Sequence, residues 1–177
     1  IRRYPPFVVG DGKSNIDSLI DRENEIRVEK GVLPVLKLIP KNSKIKKYLK
    51  KNNLNFLSVP KDKEVVYLHN KIALKLGSSV EIIDKNVLTE SNKKNIMAIL
   101  DYFDANIFGI DVICEQGLEV DFNNQKSIFL EINSRPFLAM HNHGTASKSA
   151  FGGCGKQAWW PRSKDYWHTT QTFQRLL

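Results

Sequence analysis

Nowhere in this chain do roughly eighteen apolar residues follow one another, the length a helix needs to cross a bilayer, and no leader-like pattern opens it. The expected compartment is therefore the cytoplasm, with no membrane partner. Cysteine is scarce, with only two among 177 residues. Cys114 lies in an apolar strand pattern and Cys154 in a glycine-rich stretch, so both read as free thiols in a reducing compartment. Tryptophan is missing until Trp159, and all three (Trp159, Trp160, Trp167) fall near the end. What is present is 41% hydrophobic, enough for one sizeable core or for one domain with a tail. The chain opens on Ile1 in what reads as the middle of an element, and it is expected to be a piece of a longer polypeptide.

The formal charge of +8 raises a nucleic-acid reading, so its distribution matters. Residues 1–146 carry 22 Lys and Arg against 18 Asp and Glu, while residues 147–177 carry 5 against 1. Half of the excess thus lies in a basic, tryptophan-rich tail whose texture differs from that of the body. Within the body the one dense basic run is Lys41 to Lys51, where Ile45, Tyr48 and Leu49 fall at helical spacing. That is an amphipathic helix with a solvated lysine face, which speaks against nucleic-acid or phosphate binding there.

Strands and helices alternate along the body. Arg3–Val9 ends in a strand-like P-F-V-V, Gly10–Lys13 makes a tight loop, and Ser14 is expected to open a helix with Asp17 as its capping-box acid. Val65–Leu76 reads as one long strand, broken at Gly77. A helix is expected from Ser91 or Asn92 to about Asp104, since Ile96, Ile99, Leu100 and Phe103 keep a 3.6-residue period. Two strands follow, F-G-I-D-V-I-C and I-F-L-E-I-N, joined by a polar segment, and antiparallel pairing is natural.

Those two strands carry the most informative pattern. Successive strand side chains point to opposite faces, so Glu131 and Asn133 share one face, while Leu130 and Ile132 are expected in the core. Phe108, Ile110, Val112 and Cys114 form the apolar row of the first strand, leaving Asp111 as the polar residue of the other row. If the strands pair, three oxygen ligands converge, as a hard cation requires. The plain structural reading is acids facing water on a half-buried sheet; against it stands the apolarity of both strands, which makes an acid there need a partner or a metal.

The loop V-V-G-D-G-K-S ends like a phosphate-binding P-loop, but Phe7 occupies the position of the required first glycine, and that reading fails. What remains is a glycine turn feeding a helix N-terminus, where backbone N–H groups and Lys13 can meet an anion. The loop is also one of four segments in fixed order: R-R-Y-P-P-F-V-V-G-D-G-K-S-N-I, V-P-K-D-K-E-V-V-Y-L, F-G-I-D-V-I and L-E-I-N-S-R-P-F-L-A-M-H. In that order they resemble the ATP-grasp carboxylate-amine ligases, most nearly cyanophycin synthetases and the glutathione-synthetase module of bifunctional glutathione enzymes. The resemblance covers roughly residues 1–143.

The resemblance implies an α+β fold, the C-terminal subdomain of an ATP-grasp protein, with a mainly antiparallel sheet and helices on one face. It implies residues 1–146 as this portion, without the adenine-binding half, followed by the atypical tail of residues 147–177. By the same resemblance Asp111, Glu131 and Asn133 would hold magnesium, or manganese, on the ATP phosphates. Arg3 would be a catalytic arginine on phosphoryl or carboxylate oxygens, and Gly10, Asp11, Gly12 and Lys13 a nucleotide-binding loop that closes over the reacting centre; Arg135, which departs from the family pattern, is read as a second catalytic arginine that adds a phosphate contact or else as a residue that covers the sheet. The implied reaction joins an amino acid or short-peptide carboxylate to an amine through an acyl phosphate. Its rivals are a non-catalytic ATP-grasp remnant and a basic nucleic-acid-binding protein; self-association is left open. His141 matches the family pattern, whereas His143 and Cys154 do not combine with it into a separate metal site.

Overall fold

The computed structural model describes residues 1–31 and 35–136, together with the backbone of residues 169–174. The expectations for His141, His143, Cys154 and the three tryptophans lie outside the described residues. The described chain divides into two compact units: residues 1–3, 82–136 and 169–174 in one, residues 4–31 and 35–81 in the other. Among the described residues the architecture is α+β, three helices and small antiparallel sheets. No described helix is long and apolar enough to cross a membrane.

The chain begins with β1 (Arg2–Tyr4) and β2 (Phe7–Val9), followed by α1 (Ile16–Glu29), α2 (Ser43–Lys51), β3 (Val65–Tyr67) and β4 (Ser79–Glu81). β2 and β3 pair antiparallel, with Val8 opposite Val66. Val8, Val66 and Leu68 meet Ile16, Leu19 and Ile20 of α1 and Ile45 and Leu49 of α2 in one core, so the apolar stripes legible in the sequence are the faces that bury. Two boundaries differ from expectation. Asn15, not Ser14, caps α1, accepting from the Ser18 N–H at 2.9 Å, because the Ser14 hydroxyl is turned to Asp11. The strand expected over Val65–Leu76 stops at Tyr67: the His69 ring accepts the Lys71 N–H in a turn, and a 3-10 turn at Leu74–Leu76 ends on Gly77 with φ +76°. A Cβ on Gly77 would stand 2.6 Å from the backbone of Ile39, so glycine alone fits there.

The other unit holds α3 (Glu90–Tyr102), β5 (Ile107–Cys114), β6 (Ser127–Asn133) and β7 (Thr169–Gln174). β5 is central in the order β6-β5-β7, and both pairings are antiparallel. β7 supplies its strand from the tail, where the sequence showed no periodicity. Ile96 and Leu100 of α3 lie with Phe108, Ile110 and Val112 on one face of β5. Helix α3 starts at Glu90, one or two residues before the expected Ser91 or Asn92, capped by Thr89, and Asn92 is fully buried. The Asn92 amide donates to the carbonyls of Leu118 and Val120 and accepts from the Phe122 N–H, tying the helix to the loop between β5 and β6.

Candidate functional site

In the β5–β6 register Asp111 stands directly opposite Glu131, and Gly109 opposite Asn133. Directly opposed residues of an antiparallel pair share a face, with Cβ atoms about 5 Å apart. The three residues singled out in the sequence are therefore neighbours on one face, the one opposite Ile110 and Val112. Immediately beyond Asp111 the register shifts, Val112 facing Phe129, so Leu130 is the extra residue of a β-bulge. Such a bulge bends the strand and re-aims side chains.

The expectation that Leu130 and Ile132 fill the core is not met. Leu130 is 45% and Ile132 41% exposed. Ile132 does share the face of Ile110, but α3 covers the β5 row, and β6 is an edge strand among the described residues. Asp111, by contrast, is 8% exposed, because both faces of β5 are covered.

Burial gives the Asp111 carboxylate strong requirements, and one oxygen meets them. Its Oδ2 accepts from Arg3 Nη2 at 2.7 Å. Its Oδ1 is buried without a partner, as is the Nε–H of Arg3. A buried acceptor and a buried donor left unmatched cost about 1–3 kcal/mol each unless a ligand or water completes them. Two carboxylates face to face across a strand pair also repel. Glu131, exposed at the rim, accepts through Oε1 from the Asn133 amide at 2.9 Å, which turns the Asn133 carbonyl oxygen the other way. The cluster thus offers a buried carboxylate oxygen, an exposed carboxylate and an amide oxygen, beside one guanidinium. Among the described residues no trio drawn from His, Cys, Asp and Glu is placed to hold a metal. Two carboxylates and an amide nonetheless suit magnesium, which binds through one or two carboxylates and completes its shell with phosphate oxygens and water.

No protein-family model matches the chain. Curated relatives are found at 27% identity over 143 residues in the glutathione biosynthesis bifunctional protein of Clostridium perfringens and at 29% over 143 residues in that of Enterococcus faecalis. These alignments cover 80% and 78% of this chain but 18% of either relative. Among solved structures, a bifunctional glutathione synthetase from Pasteurella multocida superposes with a TM-score of 0.70 at 23% identity, over 86% of this chain and 22% of that one. The chain is a homologue of the bifunctional glutathione biosynthesis proteins and has an ATP-grasp fold. It spans about a fifth of the length of the proteins it matches.

Against that ATP-grasp background the remaining expected site residues divide. Arg3 is engaged through Nη2 on Asp111, 108 residues away in sequence, a pairing that no local pattern announces, and its Nε–H is left unmatched. Arg135 is exposed on the segment that follows β6. That segment turns back over the same sheet face, since Pro136 comes to 3.1 Å from where a Gly109 Cβ would stand. Gly109 therefore matters to the site for the room it leaves.

Gly10, Asp11, Gly12 and Lys13 belong to the other unit and form a tight turn. Gly10 is pinned by its N–H to the Glu64 carbonyl and by its own carbonyl to the Lys63 N–H. A Cβ on it would lie 2.1 Å from the Lys61 carbonyl oxygen. Asp11 accepts from the backbone N–H groups of Ser14 and Lys13 and from the hydroxyl of Ser14, with Arg22 adding a salt bridge. Those bonds, the Ser14 backbone first, hold its pKa well below the usual carboxylate range. The backbone N–H groups of Lys13 and Ser14 are thus engaged by the loop's own acid, and the Lys13 side chain is exposed.

Proposed function

We propose that this chain forms part of an ATP-dependent carboxylate-amine ligase, with Asp111, Glu131 and Asn133 as its magnesium ligands. The observation that carries the reading is the unmatched, buried Oδ1 of Asp111 on the face it shares with Glu131 and Asn133. Homology to glutathione biosynthesis proteins supports the coarse assignment. The reaction proposed is transfer of the ATP γ-phosphoryl group to the carboxylate of an amino acid or short peptide, followed by displacement of phosphate by an amine. Magnesium, when bound, would neutralise charge on the transferring phosphoryl group, and manganese is its natural substitute.

The residues of the chain have distinct tasks in this reading. Arg3 is a positioning residue: it compensates the buried Asp111 and fixes its carboxylate so that Oδ1 is presented. The Asn133 amide steadies Glu131. The β-bulge sets the angle of this rim. Arg135, exposed beside the cluster, is proposed to meet a phosphoryl or carboxylate oxygen, and Lys13 of the Gly10–Lys13 loop a nucleotide phosphate.

Calorimetric titration of the chain with a non-hydrolysable ATP analogue, with magnesium and then with EDTA, tests the reading. Weak binding that vanishes with EDTA is expected. Binding of equal strength without the metal would remove the three ligands from the nucleotide site.

A further inference from the structure

A shallow cleft of about 360 Å³ lies within the second unit, lined by Lys44, Lys47, Tyr48, Lys51, Asn52, His69 and Asn70. No acid lines it. Lys44, Lys47 and Lys51 stand at i, i+3 and i+7, which places them along one face of α2 over about 10 Å. Two other lysines are neutralised locally: Lys41 is held by Asp17 and Asp21 at 2.8 Å each, and Lys93 by Glu90. Lys44, Lys47 and Lys51 have no acid at ion-pair distance among the described residues. Ammonium groups three apart on a helix repel, and a bound polyanion would relieve that repulsion.

The wall of the cleft adds a directional donor. The rings of Tyr48 and His69 are stacked, with centroids 5.7 Å apart and planes at 16°. His69 Nδ1 accepts the Lys71 N–H, so the neutral ring carries its proton on Nε2. Burial, with Lys71 and Lys44 adding to it, lowers the His69 pKa and keeps the ring neutral at pH 7.

We propose that this cleft binds a small ligand carrying two or more phosphate groups, with Lys44, Lys47 and Lys51 as its cationic row and His69 as a hydrogen-bond donor. Its volume is in the small-molecule range. A stacking platform for single-stranded nucleic acid presents free ring faces, whereas Tyr48 and His69 already cover each other. The site is independent of the cation cluster on β5 and β6.

The test is calorimetric titration of the whole chain with inorganic tripolyphosphate in EDTA at fixed ionic strength. One-to-one binding is expected, weakened about tenfold or more in the Lys44→Ala/Lys47→Ala/Lys51→Ala variant. The three side chains are exposed and alanine favours helix, so that variant should fold. Lys46→Ala/Lys50→Ala, on the same helix but outside the cleft, should bind as the parent does. Equal weakening in both variants would reduce the effect to net charge and overturn the proposal, as would a parent that binds no tripolyphosphate. A single-stranded oligonucleotide that displaces tripolyphosphate and binds more than tenfold tighter would replace it with a nucleic-acid site.

Discussion

Replacing Arg3 by glutamine isolates the electrostatic link that holds the cluster together. Arg3 Nη2 lies 2.7 Å from Asp111 Oδ2, with side chains 20% and 11% exposed. Removing one partner of a fully buried pair costs about 3–5 kcal/mol, and the partial exposure of Arg3 lets water recover some of that, leaving about 2 kcal/mol. For a chain of this size each kcal/mol moves the melting temperature by about 2–4 °C, so calorimetric melting should show a fall of about 4–8 °C. If Asp111 is a cation ligand, magnesium can take over the neutralisation that Arg3 supplied. A cation at about 100 times its Kd adds about 2.7 kcal/mol, so millimolar magnesium should raise the variant's Tm more than the parent's. An unchanged Tm would show that the pair contributes nothing. A fall with no extra response to magnesium would refute the cation-binding role assigned to Asp111.

Gly109→Ala forces its Cβ to 3.1 Å from that of Pro136 and should cost about 1–2 kcal/mol in thermal melting while weakening magnesium binding. Asn92→Ala strands the Leu118 carbonyl and the Phe122 N–H, while the Val120 carbonyl keeps the Gln125 amide, and should cost about 2–3 kcal/mol in denaturant unfolding; a loss below 0.5 kcal/mol would show that the loop finds other partners. Burial pushes the Cys114 thiol up to about 11 from 9.0. The unfolded thiol then ionises first, so this group's contribution is complete below pH 9 and declines from there to about pH 11. Iodoacetamide should label Cys114 at pH 8 only as fast as the protein unfolds, and rapid labelling of Cys114 itself in the folded chain, located by peptide mapping to distinguish it from Cys154, would contradict its burial.

The convergence of Asp111, Glu131 and Asn133 was legible because strand alternation is a strict rule: Asp111 among apolar neighbours, and Glu131 and Asn133 two apart, could converge only on a shared face, and the register puts them there. What alternation cannot tell is whether a face is covered. Leu130 and Ile132 are as apolar as Ile110, but β6 is an edge among the described residues and β5 is central. The bulge at Leu130 has no sequence signal of its own. The Arg3–Asp111 pair joins opposite ends of the body, and Asn92 looks like any solvent-facing helix residue until the loop between β5 and β6 folds onto it. Ser14 and Asn15 are equally good capping residues, and the competing claim of Asp11 on the Ser14 hydroxyl decided between them.

Titration of the chain with manganese, following free Mn²⁺ by electron paramagnetic resonance and competing with magnesium, tests the central claim most directly. The expected result is binding of one or two ions, released by magnesium and weakened about tenfold or more in both Asp111→Asn and Glu131→Gln, with far-ultraviolet circular dichroism unchanged. Manganese held equally by the parent and both folded variants would contradict the assignment of Asp111, Glu131 and Asn133 as a cation site.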